Sequence, residues 1–536
     1  MGIALRRERL RAALTEMEAG QGEAAERICR GLLGRDTADT EALLLLGLAL
    51  GIEGKAEEAA PFLNQAGGAR AQFAHPCADL AALLIAQGKA TLIVPQYRAC
   101  LRLAPDDRRL RYGLAECLRE QGDGEAALAV LEPLRGDPAD AELHYQVGMA
   151  LAEDGRFAEA AERFRMAIAG DPAPAAFWAN LGAMLKVEGR FDAALEAYEQ
   201  ALARAPDDRR IRVNRAVARL HAGRFAEAWQ DEDWVLAEPG RPSLPLTTLL
   251  PPISRLPELG GRTVLVVQEE GLGDTLQFLR YLPLLAARGA RVTVAVPAAL
   301  TRLLRTVPGV AEVPDGDALV PAHDFHCSFN GLPRAFETTL ETIPCDVPYL
   351  AAAPALAREW AARLPDSGQL RVGLCWAGQA RPWLTGFTGL DRRRSTSPAT
   401  LAPLAAVPGV QFVSLQKGPA AEEARAAGFE LLDLMTQARD FADTAALVAN
   451  LDLVISVDTS VVHLAGAMGK PVFLIDRYDN CWRWLSGRED SPWYPTLRIF
   501  RQRRSGEWGP VIERVATALA AMAARPFRVR RCRDAA

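Results

Sequence analysis

The chain has 536 residues, of which 49% are hydrophobic and 24% charged, with a formal net charge of -5. This balance is typical of a soluble globular protein of two to four domains, and it gives no reason to expect nucleic acid as a partner. The sequence contains no stretch of about 18 apolar residues, so we predict no transmembrane segment. The N-terminus also lacks the apolar core of a signal peptide. The nine cysteines form no C-x-x-C pair or zinc-type cluster, so we expect reduced thiols in a cytoplasmic protein.

The first part of the chain repeats itself. Gly-Arg-Phe occurs at 155–157, 189–191 and 223–225, and glycines extend this register toward the N-terminus at intervals of about 34 residues. A small residue stands seven positions before each glycine, and prolines close five of the units. The glycines in register are Gly20, Gly54, Gly88, Gly122, Gly155, Gly189 and Gly223. Such spacing predicts helical hairpins in which glycine supplies the turn and proline ends the second helix.

This pattern resembles the tetratricopeptide repeat, with the best copy at 175–208. That copy has the expected residues at Trp178, Leu181, Gly182, Gly189, Ala194, Tyr198, Ala201 and Pro206. The resemblance implies an α-solenoid of about seven repeats over residues 1–238, whose concave face holds a peptide or partner protein. A rigid spacer or a dimerisation surface is the alternative.

The second part alternates strands and helices. Six prolines between residues 239 and 260 predict a linker. Apolar runs such as TVLVVQ, RVGLCWAG and DLVISV then alternate with helical patterns, including a helix at 419–427 and a strand at 429–434. A second proline-rich linker divides the series, which predicts two Rossmann-like domains at 261–350 and 368–524. The basic tail, 525–536, is expected to be solvated.

Ligands of open α/β sheets bind beyond the carboxyl ends of the strands, and the loops predicted there are polar. They contain Gly271-Leu272-Gly273-Asp274, Asp391-Arg392-Arg393-Arg394-Ser395, Gln416-Lys417-Gly418 and Asp458-Thr459-Ser460. A helix that starts at Thr459 or Ser460 offers free N–H groups to a phosphate. The alternative is a plain N-cap formed by Asp458 or Ser460 with no ligand.

Two other motifs carry less information. The glycine loop at 271–273 lacks the third glycine of a dinucleotide-binding loop, because Gln277 stands at that position. Asp-Gly-Asp at 315–317 is interpreted as a turn rather than a metal-binding pair, since proline and glycine surround it. His323 and His326 lie nearby without an evident third ligand, so no metal site is predicted.

Together, LVVQEEGLGDTLQFLRYLPLL, RVGLCWAG with DRRRS, GVQFVSLQKG and DLVISVDTSVVHLAGAMGKPV resemble the bacterial heptosyltransferase-like group of GT-B glycosyltransferases. The chain looks closer still to bacterial proteins that fuse tetratricopeptide repeats to such a domain, which also share the ending at 481–502. The resemblance implies the fold class: an α-solenoid followed by a GT-B fold of two Rossmann-like domains, the first on the acceptor side and the second on the nucleotide-sugar side.

The resemblance also implies roles for individual residues. Asp274 matches the catalytic base, and His463 matches a histidine one turn into the donor helix. Either Arg393 or Arg394 is expected to grip a phosphate. The predicted nucleotide-sugar contacts are Gly271, Gly273, Arg393, Arg394, Gln416, Lys417, Asp458, Thr459, Ser460, Val461 and His463. The chain departs from the group in its short first half and in Ser460, where glycine is usual.

These features predict a metal-independent, cofactor-free enzyme that transfers a sugar from a nucleotide-activated donor to a protein hydroxyl. The repeats would recognise the acceptor protein, and flagellin is one option because some flagellin glycosyltransferases share this plan. Two alternatives stay open. One is a repeat scaffold with an inactive transferase fold, and the other is a transferase acting on lipopolysaccharide or another glycan.

Overall fold

The computed structural model describes most of the chain. The described residues are 3–18, 21–53, 55–66, 85, 90–103, 105–134, 140–230, 244–256, 259–268, 271–313, 321–381, 388–426 and 428–524. The predicted turn at 315–317, the basic tail and part of the proline-rich linker lie outside these ranges. So do three of the repeat glycines, Gly20, Gly54 and Gly88.

Helices occupy the repeat region. They are α1 Ile3–Glu18, α2 Gly22–Leu33, α3 Thr40–Ile52, α4 Ala56–Ala66, α5 Val94–Leu103, α6 Arg108–Glu120, α7 Gly124–Leu131, α8 Ala141–Glu153, α9 Phe157–Gly170, α10 Ala175–Val187, α11 Phe191–Arg204, α12 Arg209–His221 and α13 Phe225–Ala228. Gly122, Gly155, Gly189 and Gly223 adopt positive φ between paired helices, as the repeat pattern requires. A Cβ on Gly148 would lie 2.7 Å from the Phe164 ring, which shows why a small residue is needed there.

The chain divides into two compact units. The first comprises Met1–Met184 with Ala380–Arg392, and the second comprises Leu185–Gln379 with Arg393–Ala536. The division therefore falls inside α10 rather than at the predicted linker. In the first unit, the Arg392 guanidinium donates hydrogen bonds to the carbonyl oxygens of Gly122 and Glu153. A short segment after the fifth strand thus packs with the repeats.

The last repeats form part of the second unit. Phe225 of α13 packs against Trp482 and Trp493, with ring centroids 5.9 and 6.3 Å apart, and the Trp229 indole N–H donates to the Thr338 carbonyl over 2.6 Å. One buried apolar cluster runs from Phe225 into the sheets that follow. The proline-rich linker joins the same core, because Leu250 is fully buried and its N–H donates to the His326 carbonyl.

Two parallel sheets form the rest of the second unit. The strands are β1 Thr263–Val267, β2 Arg291–Ala295, β3 Val310–Glu312, β4 Phe325–Ser328, β5 Leu370–Cys375, β6 Val410–Ser414, β7 Leu432–Asp433, β8 Leu453–Ser456, β9 Val472–Asp476 and β10 Leu497–Arg501. Their orders are β3-β2-β1-β4 and β10-β9-β8-β5-β6-β7. Both orders reverse direction beside the first strand of the sheet, which is the arrangement of Rossmann-like folds. The predicted fold class is confirmed.

Helices alternate with these strands along the chain. They are α14 Leu272–Phe278, α15 Leu282–Ala287, α16 Ala298–Leu304, α17 Leu332–Ala335, α18 Pro354–Ala361, α19 Thr388–Arg394, α20 Pro398–Leu401, α21 Phe441–Ala449, α22 Ser460–Ala467 and α23 Gly509–Ala523. Among the described residues, none of the helices has both the length and the apolar character needed to cross a bilayer.

Two local predictions need correction, and two elements were missed. The helix predicted at 419–427 is a 3-10 segment, Pro419–Ala426, and the strand predicted at 429–434 shrinks to Leu432–Asp433. Strand β10 and helix α23 were not predicted. In the described part of the chain, β7 lies at the edge of its sheet and pairs with β6.

Candidate functional site

The first part of the site is the start of α14, at the carboxyl end of β1. Gly271 is the N-cap residue, and its backbone N–H donates to Oδ2 of Asp274 over 3.1 Å. A carboxylate in the first turn also interacts favourably with the helix dipole. The Asp274 side chain remains 20% exposed, so it closes its own helix start and still reaches open space.

The second part is the start of α22, after β8. Thr459 occupies the N-cap position, but no side chain caps the helix there. The Thr459 hydroxyl lies 3.1 Å from Ser456 Oγ and 3.7 Å from Cys375 Sγ instead. The plain N-cap alternative, with Asp458 or Ser460 as the capping residue, is therefore not what the structure contains. The helix start keeps backbone donors and a positive dipole end for another acceptor.

The two helix starts meet at Gly273. A Cβ built on this glycine would lie 3.4 Å from Ser460 Cα and 2.8 Å from Cδ2 of His463. Any larger residue at position 273 would push α14 away from α22. Glycine here therefore brings Asp274 next to the uncapped start of the opposite helix.

His463 forms the floor beneath these helix starts. It is 4% exposed, stacks on Trp484 with centroids 5.3 Å apart, and places Nδ1 3.0 Å from the Tyr494 hydroxyl. Burial lowers the pKa of His463 to about 4, although the charges of Asp458 and Asp274 act in the opposite direction. The imidazole is thus neutral near pH 7 and can exchange hydrogen bonds without adding charge.

An arginine that sequence analysis did not single out completes the site. Nη2 of Arg483 lies 2.5 Å from Oδ1 of Asp274, and the Arg483 side chain is 10% exposed. This residue belongs to the segment 481–502, which was noted only as a shared ending. An arginine between two tryptophans, Trp482 and Trp484, was the available signal.

The predicted arginines have different surroundings. Nε of Arg393 donates to Oδ2 of Asp479 over 3.1 Å, and Nε of Arg477 lies 3.3 Å from the other carboxylate oxygen. Arg393 and Arg477 therefore share the Asp479 carboxylate, which follows β9. Arg394 donates to the Gln379 carbonyl over 2.8 Å. Of the two arginines, Arg393 is the one that pairs with an acid of the loop after β9.

Gln416 and Lys417 hold the loops around them. Oε1 of Gln416 accepts from the N–H groups of Trp376 and Ala377 at 3.1 and 2.9 Å, and its Nε2 donates to the Ala377 carbonyl. The Lys417 ammonium donates to the Ala438 carbonyl. Their role in nucleotide binding stays a prediction. Val461 is 7% exposed, so its contribution to a site would come through its backbone.

The histidines considered for a metal site engage other partners. The rings of His323 and His326 lie 5.8 Å apart, and Nδ1 of each is within hydrogen-bond distance of Pro321 O or Thr248 Oγ1. Within the described ranges, no three His, Cys, Asp or Glu side chains gather as metal ligands would.

The fold and site define a class: a GT-B architecture with an acid facing an uncapped helix start. Comparisons with known proteins agree with it. Residues 94–150 and 187–233 match tetratricopeptide repeat families, and residues 414–480 match glycosyltransferase family 9 (heptosyltransferase). The chain thus contains regions that match tetratricopeptide repeats, followed by a region that matches glycosyltransferase family 9, in the order of the predicted fusion.

One relative has a similar sequence over much of the chain. Protein FlbA of Caulobacter vibrioides is 30% identical over 376 residues, which cover 58% of this chain and 61% of FlbA. The chain therefore spans about three fifths of that relative's length.

Solved structures with similar folds are more distant. A family 9 glycosyl transferase from Veillonella parvula is 13% identical, with a TM-score of 0.37, and the match covers 50% of this chain and 98% of the transferase. The MamA 41-end structure from Desulfovibrio magneticus is 21% identical, with a TM-score of 0.25, and the match covers 32% and 96%. Scores this low support no argument about function.

Proposed function

We propose that this chain is a glycosyltransferase that moves a sugar from a nucleotide-activated donor to a protein hydroxyl. The observation that carries the proposal is the meeting of Asp274 with the uncapped start of α22. The donor phosphate would accept hydrogen bonds from the first-turn N–H groups of α22, where the helix dipole favours negative charge. The sugar would then face Asp274.

The chemistry requires a base and a stabilised leaving group. The acceptor hydroxyl would lose its proton to the Asp274 carboxylate while its oxygen attacks the anomeric carbon. The bond from that carbon to the phosphate oxygen would break, and the nucleotide would leave with the electron pair. Backbone N–H groups of α22 and nearby arginines would stabilise the negative charge on the leaving phosphate. These fixed donors allow the reaction to proceed without a metal ion.

The repeats supply the proposed selectivity for a protein acceptor. Tetratricopeptide solenoids present an extended concave surface, which fits a polypeptide better than a small glycan. Flagellin is the acceptor we propose to test first. Among the described residues, Cys29, Cys117 and Cys375 are buried thiols outside any disulfide, and this agrees with the cytoplasmic location that we propose.

A thermal-shift screen with nucleotide sugars tests the donor half of the proposal. A ligand present at 100 times its dissociation constant adds about 2.7 kcal/mol to the free energy of unfolding. For a unit of this size, the melting temperature should rise by several degrees. If the full chain shows no shift with ADP-, UDP-, GDP- or CMP-linked sugars, the scaffold alternative replaces the transferase.

Intact-mass spectrometry tests the acceptor half. The full chain is incubated with the donor from the screen and with unmodified flagellin of the same organism. A mass increase of one sugar residue on flagellin supports the protein acceptor. Modification of a lipopolysaccharide core fragment instead, with flagellin unchanged, assigns the enzyme to glycan synthesis.

A further inference from the structure

Asp274, the proposed base, does not stand free. Its Oδ1 lies 2.5 Å from Nη2 of Arg483 and its Oδ2 accepts from the Gly271 N–H, so both carboxylate oxygens are engaged. An arginine this close occupies a lone pair of Oδ1 that a base would offer to the acceptor hydroxyl. The guanidinium therefore competes with the acceptor for Oδ1, and it releases this oxygen when it moves or finds another anion.

Arg483 is held so that it can serve two partners. Its guanidinium lies over the Trp482 and Phe278 rings, with Cζ 4.8 and 5.7 Å from their centroids. Nη1 contacts Cys481 Sγ at 3.2 Å, and Nη2 lies 3.5 Å from Oδ1 of Asn330. The contacts to Cys481 and Asn330 are longer than the contact to Asp274, so the bond to the Asp274 carboxylate is stronger than either of them.

The pair of Asp274 and Arg483 lies close to the start of α22. Asp274 follows Gly273, whose Cα carries no side chain and lies close to Ser460. His463, on the first turn of α22, is near enough to Asp274 and Arg483 for both charges to act on it. A phosphate seated on the uncapped N–H groups would thus lie beside the Arg483 guanidinium. Arginine binds phosphate oxygens as readily as carboxylate oxygens.

We propose that Arg483 is a catalytic residue whose guanidinium passes from Asp274 to the donor phosphate. This inference rests on the proposed function. Without a donor, Arg483 holds the Asp274 carboxylate. Once the phosphate occupies the α22 start, the guanidinium binds the phosphate and leaves Oδ1 of Asp274 open to the acceptor hydroxyl. Donor binding thereby activates the base, and the same cation then stabilises the leaving phosphate.

The exchange has a consequence that a purely structural arginine does not share. In the free protein, the Asp274 carboxylate competes with the donor for Arg483, so removing its charge should strengthen nucleotide binding. Removing the guanidinium should weaken nucleotide binding. In addition, removing the Asp274 charge should no longer raise the nucleotide affinity once Arg483 is absent, because both substitutions act through the Arg483 guanidinium.

Calorimetric titration of the full chain with ADP, UDP, GDP and CMP tests the proposal. We expect Asp274→Asn to bind the preferred nucleotide about five to ten times more tightly than the wild type, and Arg483→Gln to bind it at least ten times more weakly. Arg483→Lys should recover part of that loss, since it restores the charge. In the double variant, Asp274→Asn should add nothing.

Arg488→Gln is the matched control. Arg488 lies in the same segment and pairs with Asp490 at 2.6 Å, outside the site. The control removes one positive charge, and we expect wild-type affinity. Melting curves establish that each variant is folded, and Arg483→Lys decides the question if Arg483→Gln unfolds.

The outcomes separate the two proposals. If the wild type binds a nucleotide and Asp274→Asn binds it equally or less tightly, the exchange of Arg483 is wrong and the donor site stands. If the wild type binds none of the four nucleotides, the donor site itself is wrong. A gain in affinity for Asp274→Asn that persists without Arg483 would also overturn the exchange.

Discussion

The two helices that meet at the site begin differently. Helix α14 is closed by its own acid, because the Asp274 carboxylate accepts from the Gly271 N–H. Helix α22 begins at Thr459 without a side-chain cap. A capped start needs no ligand, whereas an uncapped one retains unsatisfied donors and a positive dipole end. The comparison indicates that α14 supplies a negative reactive group and α22 supplies the place for an anion.

The same difference appears at the level of the two sheets. The first half has four strands and the second has six. The four-stranded half carries the capped helix with the proposed base, directly after its first strand, and the six-stranded half carries the uncapped helix. The predictions below test whether this division of roles between the helix starts is correct.

The largest expected effect belongs to the capped helix. Asp274→Asn keeps an oxygen that can accept from the Gly271 N–H, but it removes the base. Sugar transfer should fall by about a hundredfold to ten-thousandfold, because general bases typically contribute that much. The measurement is nucleotide release during transfer, under saturating donor. A wild-type rate in this variant would place the base elsewhere.

A smaller effect, on the pH dependence of stability, is expected from His463, which lies beneath both helix starts. Because burial holds the folded-state pKa of His463 at about 4, below the ordinary value of 6.5, the unfolded chain binds a proton first as the pH falls. The stabilising contribution is complete above about pH 6.5 and is lost toward pH 4. At pH 5, the free energy of unfolding should be about 2 kcal/mol lower than it is above pH 6.5.

Denaturant titrations at pH 7.5 and 5.0 check this loss against His463→Gln. Glutamine retains a partner for the Tyr494 hydroxyl and does not titrate. The variant should lose about 2 kcal/mol less than the wild type between the two pH values. Equal losses in both proteins would mean that His463 is not a buried neutral histidine.

The smallest effect tests the contact between the helices. In Gly273→Ala, the new methyl group would meet His463 at 2.8 Å. We expect a loss of about 1 to 2 kcal/mol in the free energy of unfolding, since overpacking forces small backbone shifts. Gly509→Ala is the control, because a Cβ there meets nothing within 4 Å at the start of α23. If both variants are equally stable, the two helix starts do not touch as described.

Sequence reasoning located much of this arrangement. The period of the repeats and the apolar runs determine the element types, and polar loops after β1 and β8 mark the sheet edges where Asp274 and Thr459 lie. Strand ends can be predicted because they depend on local patterns. The direction of a side chain cannot be predicted in this way, which explains why Gln416 and Lys417 lie at the predicted edge yet bond to the backbone of other segments, at Ala377 and Ala438.

Long-range packing could not be predicted from the sequence. Arg483 follows Asp274 by about 200 residues, in a segment without helical or strand periodicity. The last repeats belong to the second unit, where Phe225 packs against Trp482 and Trp229 bonds to Thr338. Composition alone placed the boundary at the proline-rich linker.

The central claim is that the uncapped start of α22 holds the donor phosphate, and Thr459→Glu tests it most directly. A glutamate at the helix start is mildly favourable to the helix, and losing the Thr459 hydroxyl costs about 1 kcal/mol, so the protein should stay folded. Its carboxylate would occupy the phosphate position and repel the donor.

Calorimetric titration of Thr459→Glu with the nucleotide that binds the wild type is the decisive measurement. Ser397→Ala serves as the control, because Ser397 caps α20 with its side chain and its loss should leave nucleotide affinity unchanged. We predict that Thr459→Glu binds the nucleotide at least a hundredfold more weakly while the melting temperature changes little. Undiminished affinity in folded Thr459→Glu would contradict the claim, because the helix start would then hold no phosphate.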